Sequence, residues 1–167
     1  MLDIIFISYD EPNADRNFDK LKERFPHARR VHGVEGIAEA HIAAARKAMT
    51  KMFFVVDADA VIKPDFDFSY KPVGIEETYT HIWMAENPIG CTYGYGGVKL
   101  FSKAAFRQIK SYVDFTTTLT EHVKYHDQVA CTTEFNSDKY RAFRGAFREA
   151  AKLFKQLDHS LPLEQRN

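Results

Sequence analysis

Two carboxylates one residue apart, Asp57 and Asp59, interrupt the apolar run FFVVDADAVI. Like charges this close repel, and each raises the other's proton affinity unless something offsets them. A hard divalent cation with oxygen ligands is one such partner, and it would also bridge to a diphosphate. In an extended segment Ala58 turns away while Asp57 and Asp59 share a face. Both can then reach one cation, or one holds a cation while the other accepts a sugar hydroxyl. The plainer alternative is a strand-end aspartate capping a turn beside a solvated neighbour. The apolar strand before the pair weighs against chance, because open α/β sheets bind ligands beyond the carboxyl ends of their strands.

The surrounding elements must supply that sheet. Residues 3–8 (DIIFIS) read as a buried strand. A polar loop (YDEPNAD) follows, then a helix carrying Phe18, Leu21 and Phe25 on one face. ARRVHG is a second short strand, and an alanine-rich helix over 35–51 places Ile37, Ala40, Ala44 and Ala48 at helical spacing. FFVVD then closes a second strand–helix–strand unit. Strands alternating with helices of this length predict an α/β fold, a mainly parallel central sheet with helices on both faces. Beyond Pro64 the rhythm changes. FDFSYKP reads as extended and aromatic, THIWMAE and YGYGGVKLF as strands, and residues 102–112 as a helix capped by Ser102. No repeat, linker or boundary divides the chain, so it reads as a single domain over 1–167.

Composition narrows the possible functions. Acidic and basic residues balance at 23 each, so net charge favours neither nucleic acid nor membrane. With 45 % apolar and 14 % aromatic residues the chain is globular rather than disordered. No apolar run approaches the roughly 18 residues of a membrane span, and the N-terminus lacks a basic signal region. Two cysteines, Cys91 and Cys131, read most simply as free thiols in a reducing cytoplasm.

Other residues carry chemistry of their own. Gly94, Gly96 and Gly97 crowd YGYGGVKLF, where glycine costs backbone entropy and packs nothing. They suit either a wall that a sugar approaches closely or a bulge. Tyr93, Tyr95 and Trp83 offer aromatic faces to sugar C–H groups, with a core role as the alternative for Trp83. Asp127 in HDQVA sits where a helix would begin, as a cap on free N–H groups. The segment 139–155 pairs an apolar stripe (Phe143, Phe147, Ala150, Phe154) with a basic one (Arg141, Arg144, Arg148, Lys152, Lys155) opposed only by Glu149. That is a solvated face or a phosphate-attracting one. A haloacid-dehalogenase-type phosphatase also places D-x-D after an apolar strand, with the first aspartate as nucleophile. It uses the first strand of the domain, however, and its later G-D-x-x-x-D-like run is absent.

The ordered set of strand, acidic loop, helix, strand, Ala-rich helix, VVDADA, YGYGGVKLF and HDQ resembles GT-A glycosyltransferases. NPIG, YGYGGVKLFSK and HDQVACTTEFNSDKYRAFRGAFREAAKL resemble, more narrowly, the small glycosyltransferases of tailed bacteriophages. The likeness spans residues 3 to about 155. It implies sugar transfer from a nucleoside diphosphate donor, assisted by Mn²⁺ or Mg²⁺, in the host cytoplasm. By resemblance, Asp57 holds the donor ribose or the metal, and Asp59 is the metal ligand. Ser8, Tyr9 and Asp10 lie where such enzymes hold base and ribose. His41 occupies the helix position where relatives carry Asn, or is a histidine satisfied at a helix–sheet edge. Asp127 would face the acceptor hydroxyl as general base, with His126 standing where many relatives have Glu. Tyr95, Gly96 and Gly97 with Trp83 would line the sugar, and His159 would be the third metal ligand. The acceptor is a hydroxyl, a modified phage DNA base among the candidates. A non-catalytic nucleotide-sugar-binding remnant is the competing class.

Overall fold

A computed structural model describes residues 1–87, 90–94, 96–108, 119, 122–134, 138–144, 146 and 147. The chain divides into two compact units, 1–134 and 135–167. In the second, residues 139–144, 146 and 147 are helical, and Tyr140, Phe143 and Phe147 are exposed.

The first unit is built on one sheet. Strand β1 (Asp3–Ser8) lies between β2 (Arg29–His32) and β3 (Met52–Asp57), parallel to both. Flanked on both edges and covered on both faces, it is an unbroken apolar run rather than an alternating one. Helix α1 (Ala14–Arg24) packs Leu21 and Phe18, with Phe25 at its C-cap, on the core face of Phe6, Phe54 and Val56. Helix α2 (Ile37–Lys47) covers the other face, where Ala44, Ala45 and Ala48 meet Ile5, Phe53, Val55 and Phe101. It is shorter than the predicted 35–51. Gly36 enters with φ of 94°, and Ala48 leaves in an extended conformation. Asp3 then accepts from the amides of Met49 and Thr50 and pairs with Arg29. Ile37, expected on the packed face, is 59 % exposed.

Five more strands complete the sheet: β4 (Ala60–Ile62), β5 (Thr80–Glu86), β6 (Thr92–Tyr93), β7 (Val98–Ser102) and β8 (Val123–Thr133). Their order is β2-β1-β3-β7-β5-β8-β4, with β6 on β5. Strand β8 runs parallel to β5, whereas β7 is antiparallel to both β3 and β5, and β4 is antiparallel to β8. The predicted α/β class is the one observed.

Three local expectations change. The glycine-rich YGYGGVKLF is two strands, β6 and β7, rather than one. The predicted helix after Ser102 is a 3₁₀ turn over Lys103–Gln108, and residues 109–112 lie outside those described. HDQVA does not open a helix but sits inside β8. The aromatic stretch after Pro64 is irregular, pinned by the Arg24 guanidinium, which donates to the carbonyls of Lys63 (3.0 Å), Pro64 (2.9 Å) and Phe66 (2.9 Å). Phe68 there adopts a φ of 55°, a conformation bulky residues rarely take. Edge-on packing against Phe25, Phe54 and Phe66, at centroid distances of 4.9, 5.1 and 4.8 Å, holds it. Among the described residues no helix is long and apolar enough to cross a membrane.

Candidate functional site at the end of strand β3

The turn carrying Asp57, Ala58 and Asp59 is fixed from three directions. The Asp57 amide donates to the Gly97 carbonyl (2.8 Å), and the Ala58 carbonyl accepts from the buried Asn17 side chain (3.0 Å). The Asp59 carbonyl accepts from the Glu134 amide at 2.6 Å. Glu134 is itself held by Arg16 and by Asn17. Strand β7, helix α1 and the end of β8 thus set the backbone from which both carboxylates project.

The sequence reading missed the residue beneath them. Lys99, buried on the central strand β7, places Nζ 2.6 Å from Asp57 Oδ2. Side-chain exposures of 8 % and 28 % make this a pair largely withdrawn from water, where losing one partner costs about 3–5 kcal/mol. The signal was present: a lone lysine between Val98, Leu100 and Phe101 needs a counter-charge, because lysine is almost never buried unpaired. Asp57 Oδ1 is sealed from solvent and has no hydrogen-bond partner among the described residues. Asp59 is half-buried. Burial, and next the neighbouring Asp57 charge, push its carboxyl up to about 7, with Lys99 opposing.

This environment tests the expected cation. Asp59 fits: its ionised form is short of positive charge, the deficit a divalent ion would fill. Asp57 has already given Oδ2 to an ammonium. Among the described residues no group of three His, Cys, Asp or Glu side chains gathers around a common point. His159, the expected third ligand, lies outside the described residues.

The remaining predicted residues divide. Ser8 ends β1, buried, with Oγ accepting from Arg30 Nε at 2.8 Å and lying 3.0 Å from His32 Nδ1. Tyr9 and Asp10 are exposed beyond it, and the Tyr9 amide donates to Glu11 (2.8 Å). Asp57, Asp59 and the 8–10 loop therefore leave the same end of two adjacent parallel strands. His41 is 1 % exposed, its Nδ1–H donating to the Ile37 carbonyl at 2.7 Å and its ring edge-on to Phe101. It thus sits at the helix–sheet packing edge.

Burial, then the nearby Lys99 charge, pull the His41 imidazole down to about 4. An unfolded chain takes up this proton near pH 6.5, the native chain only near 4. Stability is therefore complete above pH 6.5 and falls as pH drops toward 4, by about 3 kcal/mol for this residue. His126, pulled down to about 4 by burial and then by His81, acts in the same direction. Melting curves of wild type and His41→Gln between pH 7 and 4.5 should show a shallower acid slope in the variant. Parallel slopes would remove His41 from the account.

Gly96 and Gly97 are pressed by neighbours on the side where a side chain would stand. A Cβ on Gly96 would lie 2.5 Å from the Trp83 carbonyl, and one on Gly97 2.5 Å from Ala60 Cβ. Close backbone and side-chain packing thus requires glycine at both positions, a reason that neither the sugar wall nor the bulge had supplied. Trp83 is 2 % exposed, stacked on His126 at 4.3 Å and 7° and walled by Phe54, Phe66 and Tyr70. It is core, and His126, 3.1 Å from His81, belongs to the same cluster. Tyr95 lies outside the described residues.

Asp127 is exposed on β8, so the helix-cap role is gone. Trp83 pairs with His126 and Met84 with Val129, which leaves Asp127 and Gln128 bulged from the ladder. Bulges of this kind re-aim side chains and recur beside active sites.

No protein-family model and no curated protein matches the sequence. Solved structures do match. A glycosyltransferase involved in glycosylation of the major capsid of PBCV-1 gives a TM-score of 0.57 at 13 % identity, over 86 % of this chain and 100 % of that one. Mannosyltransferase PcManGT from Pyrobaculum calidifontis, in complex with GDP-Man and Mn²⁺, gives 0.55 at 14 %, over 85 % of this chain and 59 % of that one. HddC from Yersinia pseudotuberculosis complexed with GMP-PN gives 0.50 at 11 %, over 80 % and 91 %. At such identities the likeness is one of fold. The fold that carries Asp57 and Asp59 is shared with these structures, among them the capsid glycosyltransferase and the mannosyltransferase.

Proposed function

We propose that the chain is a glycosyltransferase that moves a sugar from a nucleoside diphosphate donor to an acceptor hydroxyl. One observation carries this: in a fold shared with glycosyltransferases, the Asp57–Asp59 turn is locked at the carboxyl end of β3 with Asp59 short of a counter-charge. Tyr9, about half exposed beyond β1, is suited to stack on the base, and Asp57 to accept a ribose hydroxyl. Asp59 would hold Mn²⁺ or Mg²⁺, whose charge steadies the departing diphosphate. Asp127 takes the proton of the acceptor hydroxyl as that oxygen attacks the sugar carbon. A mannosyltransferase of this fold binds GDP-Man and Mn²⁺, which supports a nucleotide-sugar donor and a divalent ion here. The phage likeness and the basic residues of 139–155, of which Arg148, Lys152 and Lys155 lie outside the described residues, favour an acceptor on a polyanion, such as a modified DNA base.

Calorimetric titration of UDP- and GDP-sugars into the protein, with Mn²⁺ and then with EDTA, tests the reading. Asp59→Asn should weaken donor binding about tenfold in Mn²⁺ and leave it nearly unchanged in EDTA. Equal affinities of variant and wild type in Mn²⁺ would remove Asp59 from the cation site. Release of sugar to water by the wild type separates a transferase from a binding remnant, and cleavage of simple phosphate esters would instead identify a phosphatase.

A further inference from the structure

We infer that Lys99 decides which of the two carboxylates receives the cation. The inference rests on the donor-site reading above. Lys99 Nζ lies 2.6 Å from Asp57 Oδ2, so a divalent ion coordinated by that oxygen would sit close against the ammonium. Like charges at that separation, in a site largely shielded from water, repel strongly. The other oxygen gives no way round, because Asp57 Oδ1 is sealed from solvent. Asp59, one residue beyond Ala58, feels the Lys99 charge through space, but among the described residues the ammonium is hydrogen-bonded to Asp57.

A neutral hydroxyl meets neither obstacle. A carboxylate oxygen accepts more than one hydrogen bond, so Oδ2 takes a sugar hydroxyl beside the Lys99 ammonium without added charge. Lys99 thereby reserves Asp57 for the hydroxyl of the nucleotide and leaves Asp59 to the cation. A D-x-D pair alone is ambiguous between the two roles. The lysine under its first member resolves that ambiguity. Lys99 is buried and acts through Asp57, as a positioning residue.

The test measures Mn²⁺ affinity in nucleotide-free protein by the electron paramagnetic resonance signal of free Mn²⁺. Lys99→Met frees Asp57 to join Asp59, so Mn²⁺ should bind about tenfold more tightly than to wild type. Lys99→Arg keeps the charge and should stay at the wild-type value. Asp57→Asn combined with Lys99→Met should lose the gain. A lysine of merely structural importance would give no gain in metal affinity. Lys99→Met risks unfolding, so Lys99→Gln, which can still hydrogen-bond Asp57 but carries no charge, is measured beside it. Unchanged or weaker Mn²⁺ binding in whichever of the two melts like wild type overturns the inference, as does collapse of both. A gain in Mn²⁺ affinity from a protein that binds neither UDP nor GDP would uphold the partition of carboxylates while defeating the nucleotide reading.

Discussion

Asp127→Asn is expected to lower sugar transfer by at least about a hundredfold while leaving melting temperature and donor affinity unchanged. General bases contribute typically 10²–10⁴-fold, by accepting the proton from the attacking hydroxyl. Asn keeps the shape and one acceptor oxygen but cannot take up that proton. The location of Asp127 makes the experiment clean. It is exposed, bulged from the β5–β8 ladder, and has no helix N-terminus to cap, so its charge is not needed for folding. The quantities to compare are kcat with saturating donor, the donor dissociation constant and the unfolding midpoint. Turnover within a factor of two of wild type would mean that another group takes the proton.

Gly97→Val is expected to destabilise the first unit by about 3 kcal/mol or more, the upper end of what overpacking a core costs. Even a methyl group at this position would sit 2.5 Å from Ala60 Cβ, with Asp57 Cβ at 3.6 Å. Backbone must move to admit it, and the backbone in question carries the candidate site. Loss of activity in this variant would accordingly follow loss of structure. Urea unfolding followed by tryptophan fluorescence reads the effect, because the single Trp83 lies in the core. The pair Gly97→Ala with Ala60→Gly supplies the control. If the clash is the cause, removing the Ala60 methyl should restore about 1 kcal/mol or more of what Gly97→Ala alone loses. Additive losses would locate the cause elsewhere.

Much of the sheet was legible because burial leaves a local trace. DIIFIS, MFFVVD and THIWMAE are apolar runs of strand length, and each is a strand. Asp57 and Asp59 were legible for the converse reason: charge directly after such a run has to be explained by something other than packing. Strand β8 was not legible. HDQVACTTE mixes polar and apolar residues without a clean alternation, because two register shifts against β5 break its pleat, and HDQ imitates a helix start. A lysine inside the apolar run VKLF calls for a counter-charge, but which carboxylate supplies it depends on β7 lying next to β3, a pairing that no local pattern encodes. The packing of Gly97 is hidden from the sequence for the same reason. Nothing near Gly97 in sequence announces that Ala60 will press against it.

That contact has a consequence for how the molecule assembles. Asp57 ends β3 in the middle of the sheet, yet Ala60 opens β4 at its far end, four places along the strand order. Among the described residues strand β4 pairs with β8 alone, joining Ala60 to Thr133 and Ile62 to Cys131. Closing so long a loop is entropically slow and comes late in folding. A nascent chain will therefore have made both aspartates long before it can hold the second one still, and the site matures only once Glu134 has left the ribosome to bond the Asp59 carbonyl. In the finished protein the amides of β4 and of residues 131–134 should exchange with deuterium in one shared opening. A ligand gripping Asp59 should slow them together, thereby reporting its arrival in amides far along the chain from Asp59.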